Sequence, residues 1–307
     1  MSLVSMLSPN GPSGFGNHST AEEVSAGLAL GGKTYLVTGC NSGLGMETLR
    51  VLALRGARVV GAARTAEKAR ATAHALGLSD KVIPLAVELS DPASVRAAVA
   101  QVKAQGLRLD GVICNAGIMA LPKLQLIHGL EAQFFTNHIG HFLLVTGLLD
   151  QLTDDARVVT LSSTGHLMAP KGGIAFDNLD GAKGYSAWRF YGQSKFADLL
   201  FAKSLARRFA GTARTANAVH PGVITTNLTR HMASFQQVIM AGIGPIFFKT
   251  IPQGAATQVY VATHPATAKL SGLYFADSNV KKPRADAEDP ATADRLWEVS
   301  EKIIAGL

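Results

Sequence analysis

Cysteine is scarce in this 307-residue chain, which contains two, Cys40 and Cys114. Two thiols cannot build a disulfide framework, and neither lies in a Cys-x-x-Cys or Cys/His spacing that would hold a metal. We interpret both as small buried packing residues and expect no metal site. So few cysteines favour a reduced, cytoplasmic protein over a secreted one.

Long hydrophobic runs are also missing. No window supplies about 18 uninterrupted apolar residues, which a transmembrane helix needs, and the nearest approach, 238–248, is too short. Residues 1–16 are rich in Ser, Pro and Gly and do not resemble a signal peptide. We therefore expect a flexible N-terminal tail over 1–18 and a single domain over 19–307.

Charge is sparse, at 17% of residues against 47% hydrophobic, and it sums to +7. The basic residues are scattered and do not alternate with aromatic residues, which argues against a nucleic-acid partner. The net positive charge suits an anionic cofactor or an acidic membrane surface.

Short apolar segments alternate with helical ones from residue 33 onward. This alternation predicts an α/β fold with a single Rossmann-type doubly wound parallel sheet of about seven strands, flanked by helices on both faces. Ligands of such sheets bind beyond the carboxyl ends of the strands. The predicted strands are 33–38, 58–63, 82–87, 111–114, 157–161 and 215–219; the predicted helices are 42–55, 67–76, a helix starting at 91–92, about 126–149 and 191–209.

A glycine-rich turn joins the first predicted strand to the first predicted helix, with Gly39, Gly43 and Gly45 in the spacing G-x-x-x-G-x-G. Glycines let a backbone turn tightly and approach a pyrophosphate at a helix N-terminus, where free amides and the helix dipole favour an anion. The turn therefore predicts a dinucleotide site.

Arg64 directly follows the second predicted strand, 19 residues after Gly45. An acidic residue near this place binds a ribose 2′-hydroxyl, whereas an Arg suits a 2′-phosphate. Between Gly45 and Glu67 the one acidic residue is Glu47, on the first helix. The sequence thus predicts NADP(H) in preference to NAD(H).

Tyr191 and Lys195 lie four residues apart at the start of a helical pattern. Residues at i and i+4 share one face of a helix. An ammonium near a phenol stabilises the phenolate and lowers the pKa of the tyrosine. The pair is therefore a candidate proton donor and acceptor.

In this order the motifs resemble the short-chain dehydrogenase/reductase family over roughly residues 30–305. The closest resemblance is to its retinol-dehydrogenase-like and WW-domain-oxidoreductase-like branch, through residues 136–142, 191–195 and 271–275 and the 28-residue spacing between Ser163 and Tyr191. The matching family motifs are residues 38–45 (TGxxxGxG), 115–117 (NAG), Asn137, Ser163, Tyr191 with Lys195 (YxxxK), and 221–222.

The resemblance implies an enzyme that transfers a hydride between a nicotinamide and a carbonyl or carbinol carbon. Tyr191 would exchange the proton, Lys195 would lower its pKa and bind the nicotinamide ribose, and Ser163 would bind the substrate oxygen. Asn137 would hold a water that links Lys195 to solvent. Glu88 stands where the family usually has an Asp near the adenine. The implied cofactor contacts are Gly39, Asn41, Ser42, Gly43, Leu44, Gly45, Arg64, Glu88, Leu89, Asn115, Ala116, Gly117, Tyr191, Lys195, Pro221, Gly222, Ile224 and Thr226.

Residues 223–252 are strongly apolar, with Arg230 and Lys249 as their ionic groups. Such a lid suits a lipophilic aldehyde, ketone or alcohol. A homo-oligomer contact or a weak peripheral membrane contact remains open as another use of this segment. We interpret the nearby histidines His138 and His141, on the predicted long helix, as packing residues.

Two alternative functions stay open. One is reduction of a C=C bond, as in the related protochlorophyllide reductases. The other is a non-catalytic NADP(H)-sensing regulator, although Ser163, Tyr191 and Lys195 count against it because a sensor needs no proton relay.

Overall fold

An eight-stranded sheet forms the centre of the protein in a computed structural model, which describes residues 9–224 and 248–307. The strands of this sheet are β1 (Thr34–Thr38), β2 (Arg58–Ala63), β3 (Val82–Ala86), β4 (Leu109–Cys114), β7 (Leu152–Leu161), β8 (Thr215–His220), β9 (Tyr274–Ala276) and β10 (Asn279–Lys281). Two short strands, β5 (Leu126–Ile127) and β6 (Leu130–Glu131), form a separate hairpin. The strand order in the sheet is β3-β2-β1-β4-β7-β8-β9-β10, and all neighbours are parallel except β9 and β10. The predicted doubly wound α/β fold is confirmed, with seven parallel strands and one antiparallel edge strand.

Helices cover both faces of this sheet. One face carries α1 (Ala21–Val24), α2 (Gly43–Leu54), α3 (Ala66–Ala75) and α8 (Ile251–Thr263). The other carries α4 (Pro92–Ala104), α5 (Ala132–Phe134), α6 (Gly140–Gly147), α7 (Ala187–Arg208) and α9 (Pro290–Ala305). As predicted, Asp91 caps α4 and Pro92 is its first residue.

The strands divide their side chains between these two layers. Tyr35 and Val37 of β1 pack with α2 and α8, whereas Leu36 between them packs on the opposite face. Successive side chains of a strand point to opposite faces, so a continuous apolar strand suits a sheet that is covered on both sides.

The predicted helix at about 126–149 is wrong at its beginning. Residues Leu126–Ile127 (β5) and Leu130–Glu131 (β6) form a short antiparallel hairpin, and helix begins at Ala132. His128 and Gly129 turn the hairpin with φ of 48° and 78°, a left-handed conformation that a helix cannot contain. Apolar spacing alone did not distinguish hairpin from helix here.

The N-terminal segment contacts the edge of the domain. The Asn279 side chain accepts a bond from the Ser13 amide and donates to the Phe15 carbonyl. The Phe15 ring packs edge-on against Tyr260 at 5.6 Å. These contacts tie residues 13–15 to α8 and β10, and the predicted domain boundary at residue 18 stays a prediction.

Within the two described ranges, no helix combines the length and the apolar character needed to cross a membrane.

Candidate active site

Lys195 lies on α7, which crosses the carboxyl end of β7, and its ammonium is fixed by two acceptors. Its Nζ donates to the Leu161 carbonyl at 2.7 Å and to the Asp198 carboxylate at 3.0 Å. Burial opposes the ammonium, but Asp198 and Tyr191 more than offset it, so the pKa of Lys195 lies above its ordinary value. For Asp198 burial outweighs the ammonium and raises the pKa to about 6.

Tyr191 and Ser163 meet on either side of Gly165. A Cβ atom at Gly165 would lie 2.7 Å from the Tyr191 ring and 3.3 Å from the Ser163 hydroxyl. A side chain here would thus push both groups aside. The Ser163 Oγ accepts the Gly165 amide at 3.0 Å as it caps the 3-10 turn Thr164–Met168. The hydroxyl proton of Ser163 is therefore available to bond a substrate oxygen that lies next to Tyr191.

Asn137 lies in a π-helical turn, Phe135–Ile139, between α5 and α6. Its side chain is fully buried and fully bonded. Oδ1 accepts the Ile118 amide, while Nδ2 donates to the Ile118 carbonyl and to Ser194 Oγ. A π turn often marks a functional site because it redirects main-chain bonds. A water at Asn137 would bind the second lone pair of its main-chain carbonyl, since His141 Nδ1 uses the first.

His141 connects that carbonyl to the end of β1. Its Nδ1 lies 2.8 Å from the Asn137 carbonyl, and its Nε2 lies 2.9 Å from Thr38 Oγ1. Burial lowers the pKa of His141 to about 4, so the ring is neutral near pH 7. Nδ1 must then donate, and Nε2 accepts from the Thr38 hydroxyl. Thr38 Oγ1 in turn accepts the amides of Asn115 and Ala116.

The glycine-rich loop has the geometry that its spacing predicts. Gly39 and Gly43 have φ of 69° and 52°, where a Cβ atom is strained. A Cβ atom at Gly45 would collide with the Gly39 carbonyl. Ser42 precedes α2 without a side-chain cap, so the first amides of the helix remain free for an anion. Asn41 and Ser42 are exposed at this end of the sheet.

Arg64, Glu88 and Leu89 follow the carboxyl ends of β2 and β3. Arg64 is exposed, and its guanidinium has no bonding partner in the described ranges. The Glu88 carboxylate accepts the Ser90 hydroxyl at 2.7 Å and the Ser90 amide at 3.2 Å. Leu89 is buried against Gly140. The adenine contacts predicted for Glu88 and Leu89 stay predictions.

The remaining predicted contacts lie on the neighbouring strand ends. Asn115 Nδ2 donates to the Thr38 carbonyl at 2.8 Å, and Ala116 follows it. A Cβ atom at Gly117 would lie 3.5 Å from Lys195 Nζ, so this turn borders the ammonium.

After β8, Pro221 and Gly222 form a turn in which Gly222 has φ of 93°. Ile224 and Leu44 would both touch a Cβ atom at Gly254, so the Pro-Gly turn and the glycine loop converge. Thr226 and most of the predicted lid lie outside the described residues.

A cavity of about 450 Å³ opens beside Thr164, next to Ser163. Its lining includes the apolar side chains of Leu167 and Val223 and the polar side chains of His166, His220 and Asp277. Its rim also carries Lys281 and Lys282. The cavity therefore combines apolar and polar walls and reaches Thr164, the residue after Ser163, with a basic outer edge.

Sequence reasoning missed Asp198 and underestimated His141 and Thr38. Asp198 carried a readable signal, because an acid three residues after a Lys lies on the same helix face. The contact between Thr38 and His141 joins residues 103 positions apart and had no local signal.

A family model described as short chain dehydrogenase matches residues 33–237. "Short-chain dehydrogenase TIC 32 A, chloroplastic" of Brassica napus is 40% identical over 97% of this chain and 96% of its own length. "Retinol dehydrogenase 12" of Mus musculus is 40% identical over 90% of this chain and 88% of its own length. The crystal structure of a putative uncharacterized protein from Mycobacterium Paratuberculosis superposes with a TM-score of 0.75 at 33% identity, covering 92% of this chain and 97% of that one.

Proposed function

From the premise that this chain belongs to the short-chain dehydrogenase family, and is an oxidoreductase acting on CH–OH and C=O groups, we propose that it transfers a hydride between NADP(H) and a lipophilic aldehyde, ketone or alcohol. The observation that carries the proposal is the convergence of Ser163, Tyr191 and Lys195 around Gly165 and Gly117.

The residues at the strand ends fit a dinucleotide. The free amides at the start of α2 suit a pyrophosphate, and the left-handed Gly39 and Gly43 let the backbone approach it. Arg64 is exposed at the end of β2 and suits a 2′-phosphate. The bound nicotinamide would supply or accept the hydride.

The protein's own part is proton management. Tyr191 donates its phenolic proton to the substrate oxygen during reduction and takes a proton during alcohol oxidation. Ser163 donates its free hydroxyl proton to the same oxygen, because its Oγ already accepts from Gly165. Lys195 holds a positive charge beside the phenol, with Nζ 6.0 Å from the ring centre.

Exposed apolar side chains at and beside the cavity support a lipophilic substrate. Leu167, Met168 and Val223 expose apolar side chains, and Leu167 and Val223 line the cavity beside Thr164. The similarity to retinol dehydrogenase 12 of Mus musculus supports the same substrate class, because retinol is a lipophilic alcohol.

The direct test is NADPH oxidation against a panel of lipophilic aldehydes, ketones and an enone, with the parent and Tyr191→Phe. We expect Tyr191→Phe to lose about 10²–10⁴-fold in kcat while it still binds NADPH. Tyr260→Phe is the matched control, because that ring packs on Phe15 on the face of the sheet opposite α7. Full turnover by Tyr191→Phe contradicts the assignment, and a saturated ketone formed from the enone would indicate C=C reduction instead.

The cofactor preference has its own test. Arg64→Asp should raise the KM for NADPH far more than the KM for NADH, since it replaces a phosphate partner with a like charge. Arg58→Asp is the control, because Arg58 is exposed at the opposite end of the same strand. Equal use of NADPH and NADH by the parent overturns the preference.

A further inference from the structure

Asp198 is a buried carboxylate directly behind the proposed catalytic pair. It lies one helical turn after Lys195, its side chain is 5% exposed, and its Oδ2 is 3.0 Å from Nζ. Buried carboxylates are rare unless they are paired. The ammonium has three donors, of which the Leu161 carbonyl and Asp198 take two. No acceptor in the described ranges takes the third, so it is free for the site.

Two titratable groups beside the Lys195–Asp198 pair, Cys114 and His141, are neutral near pH 7. Cys114 at the end of β4 has its pKa raised by burial and by Asp198, so it remains a thiol. His141 on α6 has its pKa lowered to about 4, and the remaining group is the Tyr191 phenol. Among the described residues, Asp198 is therefore the one anion that faces Lys195.

We propose that Asp198 is a positioning residue of the active site, which holds the Lys195 ammonium in place and partly cancels its charge, and thereby sets the pH at which Tyr191 gives up its proton. This inference rests on the proposed function of Tyr191 and Lys195. It assigns Asp198 no contact with substrate or cofactor.

The sign follows from the charges. A lone ammonium favours the phenolate, whereas a carboxylate behind it disfavours the phenolate and weakens the effect. Asp198→Asn keeps the shape and an acceptor oxygen but removes the negative charge. Without that charge, the first proton should leave the Tyr191–Lys195 pair at lower pH than in the parent. With an effective dielectric constant of about 20 inside the protein, the shift is on the order of one pH unit or more.

The first measurement is the pH profile of kcat/KM for alcohol oxidation, which requires deprotonated Tyr191. We expect the rising limb of Asp198→Asn to move by about one pH unit to lower pH, with Asp198→Glu closer to the parent because it restores the charge. Asp294→Asn removes a carboxylate that pairs with Arg207 on the protein surface, and it should leave the limb unmoved.

The second measurement needs no turnover. The ultraviolet absorbance of tyrosinate is titrated in the parent and in Asp198→Asn, each against its own Tyr191→Phe variant, so that the difference isolates Tyr191. If Asp198→Asn fails to fold, Asp198→Ser takes its place.

A folded variant that is less stable but has an unmoved kinetic limb and an unmoved Tyr191 titration overturns the inference and leaves Asp198 a structural role. Full turnover by Tyr191→Phe instead defeats the proposed function, and the Tyr191 titration still reports on Asp198 by itself.

Discussion

The proton-transfer corner (Ser163, Tyr191 and Lys195) and the glycine loop (residues 39–45) are built by opposite means. In the corner, Tyr191 and Lys195 are 7% and 6% exposed, and the Lys195 ammonium is fixed by a main-chain carbonyl and a carboxylate. In the loop, Asn41 and Ser42 are exposed and the binding groups are main-chain amides.

Because of this difference, the two regions should control different kinetic quantities. The corner acts through charges and single hydrogen bonds in a buried setting, where a charge interacts more strongly than in water. The loop acts through backbone shape, which depends on the absence of side chains at Gly39, Gly43 and Gly45. Changes in the corner should therefore alter kcat, whereas changes in the loop should alter cofactor affinity.

After Tyr191→Phe, the largest effect should come from Ser163→Ala. It removes a donor to the substrate oxygen, so kcat should fall by about 10²–10³-fold, while the Kd for NADPH measured by fluorescence titration stays near the parent value. Ser186→Ala is the control, because Ser186 precedes α7 without a side-chain cap bond. A weakened Kd with an unchanged kcat would reverse the comparison.

Gly45→Ala should weaken NADPH binding and leave kcat largely unchanged. The new methyl group collides with the Gly39 carbonyl, and overpacking of this kind costs about 1–3 kcal/mol. The Kd for NADPH should rise roughly tenfold or more, with kcat at saturating cofactor largely retained. Gly31→Ala is the control, since a Cβ atom there meets no neighbour among the described residues. Equal cofactor affinity in the two variants would show that the loop tolerates a side chain.

The buried carboxylate of Asp198, behind the corner, should make the free energy of unfolding depend on pH. The folded pKa of Asp198 is raised to about 6, above an unfolded value near 3.9. Its contribution is therefore fully present below about pH 4 and is lost as the pH rises through about 6, a change of about 3 kcal/mol. Urea unfolding of the parent and of Asp198→Asn across this window should show the difference between them changing with pH. A difference that stays constant with pH contradicts the raised pKa.

The smallest effect should come from Thr38→Val, which lies between the two regions. The loss of its hydroxyl removes an acceptor from the amides of Asn115 and Ala116 and a donor from His141 Nε2. The Asn115 amide keeps the Ile113 carbonyl, and His141 Nδ1 keeps the Asn137 carbonyl. We expect the free energy of unfolding to fall by about 1–3 kcal/mol, with a modest loss in kcat. Thr263→Val is the control, because that buried hydroxyl bonds the Val259 carbonyl of its own helix. If both variants lose the same stability, the hydrogen bonds from Thr38 through His141 to Asn137 contribute no more than an ordinary buried hydrogen bond.

Much of the fold was predictable because its signals are local. The six predicted strands lie within a few residues of their observed bounds, except β7, which begins five residues earlier than predicted, at Leu152. Continuous apolar runs are typical of strands buried on both faces. The hairpin at Leu126–Glu131 was missed because its apolar residues continue the spacing of the helix that follows. The strands β9 and β10, three residues each, are too short to show a period.

The sequence by itself determined the order of the elements, the glycine spacing and the i, i+4 placement of Tyr191 and Lys195, because each depends on residues close together in the chain. Tertiary structure decided which groups meet. The order of the strands brings Thr38 beside His141, and the crossing of α7 over β7 brings Lys195 to the Leu161 carbonyl. Burial then gives these contacts their strength, since charges and hydrogen bonds interact more strongly away from water.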